Sequence, residues 1–270
     1  MSDNIEIKQN TNLGKENTQI GIQNNYNGLT VGDAMDMALK MFREYYPKLR
    51  EEILKDLRCD VEEKLKNIPN ENIVPPNPRI AIPVLQNASI TEEKDLRKMY
   101  ANLLANSMNK VVKNGVHPGF VQIINQLSPD EAKILKYIYG VKVIPTITVR
   151  YEAEDGAGYD IVRNFSIIGT LIECEEKIRL NKYFDNLIRL GLVYSSNALS
   201  HLTDKSKYVP LKEDKFILDL IEKAKKYKEP YNNAKINEGF IAITDYGLEF
   251  CSNCLDKYFG IITLSLKKND

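Results

Sequence analysis

The sequence predicts a mostly α-helical protein with a small α+β part toward its C-terminus, and three observations carry that reading. Apolar residues recur at three- and four-residue steps from Thr30 to Ile68. Helical spacing with capping signals then continues to Gly140, after which β-branched runs and turn signals alternate with helical stretches. A length of 270 residues accommodates one large or two small domains with a well-buried core.

Residues 1 to about 29 are rich in Asn and Gln and carry no apolar periodicity, so they read as a tail unable to bury a core alone. Within the tail, "NTNLGKE" (Asn10 to Glu16) is followed directly by "NTQIGIQ" (Asn17 to Gln23), a two-copy, seven-residue repeat. From Thr30, the positions Val31, Met35, Leu39, Phe42, Tyr46, Leu49, Ile53, Leu57, Val61, Leu65 and Ile68 define one long amphipathic helix over 30–68, kinked at Pro47. Pro69, Pro75, Pro76 and Pro78 end it and mark a boundary.

The helical core spans 69–140. Ile80, Val84, Leu85 and Ala88 predict a short buried helix, and Thr91 opens a second one carrying Leu96, Met99, Tyr100, Leu103, Leu104 and Met108. "HPGFVQIINQLSPDEAKILKYIYG" adds two more, the latter with Ser128, Pro129 and Glu131 in a capping-box pattern. Over 141–270 the chain mixes strand and helix. "VKVIPTITVRYEAE" is a strand, "GAGYD" a turn, and "IVRNFSIIG" either a returning strand or the lead into the next helix. A helix over 172–190 ends at Gly191, a strand covers Gly239 to Ile243, and Thr244 caps a last helix. Helix, "LGL", insertion, strand and helix is the order of a winged-helix-like module, with "KEDKFILDLIEKAKKYKEP" inserted as a helix where a simple wing would sit.

Lys plus Arg equals Asp plus Glu at 37 each, so no global field draws in nucleic acid or an anionic membrane. The N-terminus lacks a basic region followed by an apolar run, and no stretch approaches the roughly 20 apolar residues of a bilayer span. The chain therefore reads as cytoplasmic, without a transmembrane segment. Its four cysteines form no secreted framework, and reduced thiols are expected.

No catalytic set emerges: His117 and His201 lie in different modules, without a spaced nucleophile, base and orienter. "CSNC" has metal-like spacing but no second pair, and it falls inside a predicted helix, so ordinary cysteines are preferred to zinc. The sequence thus gives neither a metal nor a cofactor. "KAKKYK" is read first as a solvated helix end, with Lys225 and Lys226 as nucleic-acid contacts in the alternative. Balanced charges along 30–68 favour packing within the chain or in a dimer over lying on a membrane.

"PPNPRIAIPVLQNASITEEKDLRKMYANLLANSMN" and "VHPGFVQIINQLSPDEAKIL" resemble the abortive-infection family Abi-alpha, and "LIRLGLV" and "AITDYGLEFCSNCL" are similar to its C-terminal part. The likeness covers roughly 70 to 255. It implies a bacterial antiviral role in which infection leads to growth arrest or cell death, and it brings no agreed catalytic residues. In the tail, Gln19, Ile20, Gly21 and Asn24 resemble the core of the RIP homotypic interaction motif, with Thr18 where an aliphatic residue usually stands. That resemblance implies stacked strands: Gln19 and Asn24 as amide ladders, Ile20 and Ile22 in dry interfaces, Gly21 at a bend.

The function expected is therefore a non-enzymatic antiphage protein that confers phage resistance through oligomerization. Gln19, Ile20, Gly21, Ile22 and Asn24 would serve self-assembly or docking to a defence partner, and the protein is expected to be a homo-oligomer. The alternative is a winged-helix regulator or effector that contacts nucleic acid through Lys177, Arg179, Lys182, Arg189, Lys225 and Lys226.

Overall fold

The computed structural model describes residues 46–196, 200–226 and 230–256. The tail repeat, the assembly motif and residues 30–45 of the long helix lie outside the described residues. From Pro47 onward the described residues form one unit, built on helices followed by a four-stranded antiparallel sheet.

The described part of the long helix, α1 (Tyr46–Leu65), buries Ile53, Leu57 and Val61 at the four-residue spacing that the sequence shows. α2 (Pro78–Ala88) starts with Asn77, whose side chain accepts from Arg79 N at 2.9 Å, and buries Ile80, Val84 and Ala88. α3 (Lys94–Ser107) is the centre of the helical core, with Leu96, Met99, Tyr100, Leu103 and Leu104 all buried. Thr91 does not cap it. Its hydroxyl instead donates to Asn87 O at 2.8 Å, tying off α2, and Arg97 donates to the Thr91 and Glu92 carbonyls to close the turn.

α4 (Gly119–Ile124) and α5 (Pro129–Val141) follow. The capping box at α5 is complete: Ser128 N donates to Glu131 Oε2 at 2.7 Å and Glu131 N to Ser128 Oγ at 3.3 Å. β1 (Val143–Glu152) then turns into β2 (Gly158–Phe165), so "IVRNF" is a returning strand. A short α6 (Ile168–Leu171) and α7 (Asn181–Arg189) lead to β3 (Val193–Ser195).

α7 ends as expected. Gly191 has φ +73°, and the Leu192 and Gly191 amides return to Leu187 and Ile188 carbonyls at 3.0 and 2.9 Å, a Schellman closure that a β-carbon would strain. The insertion forms α8 (Val209–Lys212) and α9 (Lys215–Lys226). The last strand, β4 (Asn233–Ile243), begins six residues earlier than Gly239. Its first half carries Asn, Lys and Glu, yet it pairs along the whole of β1 from Val143↔Ala242 to Glu152↔Asn233.

Thr244 caps α10 (Asp245–Cys254) by accepting from Gly247 N at 2.8 Å. Gly247 has no alternative, because a β-carbon there would collide with Leu192 O. The strand order is β2-β1-β4-β3, and strand alternation sends apolar side chains to both faces. The pair Ile144↔Ile241 joins the large helical core, whereas Val149↔Ile236 and Tyr151↔Ala234 face a second, smaller cluster with Tyr208, Leu211, Ile217 and Leu220. Each fully buried Leu, Ile or Val contributes about 1.5–3 kcal/mol, so both clusters hold the sheet firmly. No helix among the described residues is long and apolar enough to cross a membrane.

Candidate functional site

Three segments far apart in the chain meet at one cleft of about 280 Å³. α3 supplies Asp95, Lys98, Met99 and Asn102; α5 supplies Ala132, Lys133, Lys136 and Tyr137; the end of α10 supplies Cys254, Leu255 and Asp256, with Ile172 between them. The helix periods explain the arrangement. Asp95, Lys98, Met99 and Asn102 fall at three- and four-residue steps, as do Ala132, Lys133, Lys136 and Tyr137, so each helix turns one stripe toward the cleft.

Asparagines lock the end of α10 into this arrangement. The last carbonyls of a helix have no partners within it. Here Asn102 Nδ2 donates to Cys254 O and Asn106 Nδ2 to Asn253 O, each at 3.0 Å. Asn253 in turn donates to Gly115 O at 3.2 Å. Asp256 accepts from Lys64 Nζ of α1 at 2.7 Å. Burial works against the Asp256 charge, but the Lys64 ammonium, the Asn102 amide and nearby Lys136 outweigh it and hold the carboxyl below its ordinary range.

Beside the cleft, Asp130 of α5 forms a buried polar knot. Its Oδ2 accepts from Glu175 N at 2.9 Å, Glu176 N at 3.3 Å and Tyr183 Oη at 2.9 Å, while Lys133 reaches Oδ1 at 3.4 Å. Desolvation pushes the carboxyl up, yet these donors together hold it below the usual aspartate value. Neighbouring Cys174 is pushed up to about 11, chiefly by burial and then by the Asp130 charge. Burial likewise raises Cys251 and Cys254, so all three thiols stay protonated and weakly nucleophilic near neutrality.

A family model described as abortive infection alpha matches residues 49–254. The chain belongs to that family. The match begins inside α1, ahead of the roughly residue 70 at which the sequence resemblance starts, and it connects the protein with abortive infection and antiviral defence. Among solved structures, an uncharacterized protein from the hydrocarbon-degrading marine bacterium Alcanivorax borkumensis SK2 is similar at 18% identity and a TM-score of 0.36, covering 49% of this chain and 89% of that one. No curated protein gives a significant match. Stretches that carry the Abi-alpha resemblance ("DLRKMYAN", "SPDEAK" and "CSNCL") all reach the cleft.

In this Abi-alpha chain the assembly residues Gln19, Ile20, Gly21, Ile22 and Asn24 lie outside the described residues. The predicted helix over 172–190 is corrected to Asn181–Arg189. The cause is Asp130 together with Glu176: they take the amides of Glu175, Glu176, Ile178 and Arg179, and Glu173 adopts φ +53°. Lys177 and Arg179 therefore sit in an exposed loop, off the helix.

Lys182 lies over the Tyr183 ring at 4.6 Å, and Arg189 is bound to Asn186 and to Gln126 Oε1 at 2.9 Å. Lys225 and Lys226 end α9, which packs into the smaller cluster, while α7 packs into the larger one. The six basic residues thus divide among an exposed loop (Lys177, Arg179), α7 (Lys182, Arg189) and α9 (Lys225, Lys226), and the two helices pack on different cores. The cleft lysines and Asp130 carry little signal in the sequence beyond the three-residue spacing of Asp95 with Lys98, Asp130 with Lys133 and Lys133 with Lys136.

Proposed function

We propose that the protein is a non-enzymatic antiphage effector of abortive infection that acts by assembly, its tail pairing as β-strands with other copies or with a defence partner. Family membership over residues 49–254 is the observation that carries the defence part of this reading. Two features support the rest. The buried groups most suited to catalysis are committed to the fold: Asp130 to four donors, and Cys174, Cys251 and Cys254 to the protonated form. The tail combines a seven-residue repeat with amide and aliphatic residues suited to in-register stacking. Triggered clustering of tails would bring the folded domains together in the cytoplasm.

A phage challenge of cells carrying Gln19→Ala with Ile20→Asp tests the proposal. Protection should fall to the level of cells without the protein while the folded unit keeps its melting temperature. Undiminished protection would remove the tail from the mechanism.

The second reading is a winged-helix nucleic-acid binder, favoured by one observation: β1, β4 and β3 are adjacent, with α7 directly before β3. Against it, the exposed side of α7 pairs Asp185 with Arg163 at 3.7 Å and ties up Arg189. Salt-dependent DNA or RNA shifts abolished by Lys177→Ala, Arg179→Ala and Lys182→Ala would establish this reading over the first.

A further inference from the structure

The cleft between α3, α5 and the end of α10 combines an apolar floor with an uneven charge pattern. Met99, Ala132, Ile172 and Leu255 form much of the floor. Three lysines line it against two carboxylates, and these charges are not equally engaged. Lys133 is held by Asp130 and by Glu173 O at 3.2 Å, and Asp256 is held by Lys64. Among the described residues, no carboxylate lies within ion-pair distance of Lys98 or Lys136. Lys98 and Lys136, exposed side chains from different helices, thus line one pocket outside any ion pair, and Asp256, already paired with Lys64, is the carboxylate that Lys136 influences.

Small-molecule sites typically enclose about 300–1,000 Å³, are largely apolar, and orient their ligand through a few polar groups. At about 280 Å³ this cleft lies just below that range and suits a small ligand. Lysine binds phosphate as a compact point charge, and a lining that combines lysines with apolar side chains suits a ligand with both characters. We infer that the cleft binds a small molecule carrying a phosphate group on an apolar body, with the phosphate between Lys98 and Lys136 and the body against Met99, Ile172 and Leu255.

Occupancy would have a structural consequence, because the same cleft joins α1 through Lys64–Asp256, α3 through Asn102 and α10 through Cys254. A ligand there would touch α3, α5 and the end of α10 together and would stabilise their mutual packing. The site is independent of tail pairing and stands whether or not the tail assembles.

Calorimetric titration of the full chain with phenyl phosphate tests the site, with inorganic phosphate and benzyl alcohol as its two halves. Phenyl phosphate should bind at least about tenfold more tightly than either half, a gap of about 1.4 kcal/mol. Lys98→Ser and Lys136→Ser should each weaken it severalfold, and Lys136→Glu should abolish it. Lys110→Ser, which removes an exposed lysine outside the cleft, should leave it unchanged. Circular dichroism of each variant establishes that the fold is retained. Absence of phenyl phosphate binding, equal binding of inorganic phosphate, or equal loss in Lys110→Ser would overturn the assignment.

Discussion

Asp130 and Glu238 are both carboxylates withdrawn from water on the same chain, and they are satisfied in opposite ways. Asp130 lies in the large helical core and accepts from two backbone amides, a tyrosine hydroxyl and one lysine. Glu238 projects from β4 on the side of the smaller cluster and is gripped by the ammonium groups of Lys205 and Lys212, the latter at 2.7 Å. Burial disfavours both charges, and in both cases the partners more than compensate, leaving the carboxyl below its ordinary value. The difference lies in the partners. Fixed, buried dipoles keep their strength in salt and position a loop, whereas lysines that are half exposed are screened and mobile.

Removing the acceptor at the first site should have the largest effect. Asp130→Ala leaves buried donors unpaired and frees the 172–180 loop, and should cost about 3 kcal/mol in urea unfolding. Next, Tyr183→Phe deletes one donor to Asp130 and should cost about 1 kcal/mol. Glu238→Gln should cost about 0.5–1 kcal/mol, an effect that 0.5 M salt diminishes while leaving that of Asp130→Ala nearly intact.

Acid sharpens the contrast. Both folded carboxyl values are depressed, so each contributes stability above its unfolded value, near 4, that is lost as pH falls through the folded value. Stability followed between pH 5 and 2 should therefore depend less steeply on pH in Asp130→Ala than in the parent chain. Glu238→Gln should show a smaller change in slope at high salt.

The smallest effect concerns a buried group that neither strategy serves. Among the described residues, Tyr100 Oη is fully buried and has no hydrogen-bond partner. Tyr100→Phe should change stability by less than about 0.5 kcal/mol, or raise it, because no bond is lost. A loss of 2 kcal/mol or more would reveal a partner.

What was legible in the sequence is what short-range physics decides. The capping box at Ser128 and Glu131, the Thr244 cap and the Gly191 closure each involve residues a few positions apart, and each forms as read. The 172–180 loop was not legible: the helical spacing of Tyr183, Leu187 and Leu190 suggests a helix that extends back through 172, and Asp130, far away in sequence, diverts the amides that would have continued it. The polar start of β4 was missed for a similar reason, since its pairing partner β1 lies about 90 residues earlier. The cleft depends on contacts such as Asn102 with Cys254, 152 positions apart, which no local pattern announces.

Electron microscopy of the purified full chain beside a chain lacking residues 1–28 tests assembly through the tail most directly. The account predicts extended or large assemblies with the full chain and only small, uniform particles without the tail. Assemblies of the same size in both would contradict it and place the interface in the folded unit.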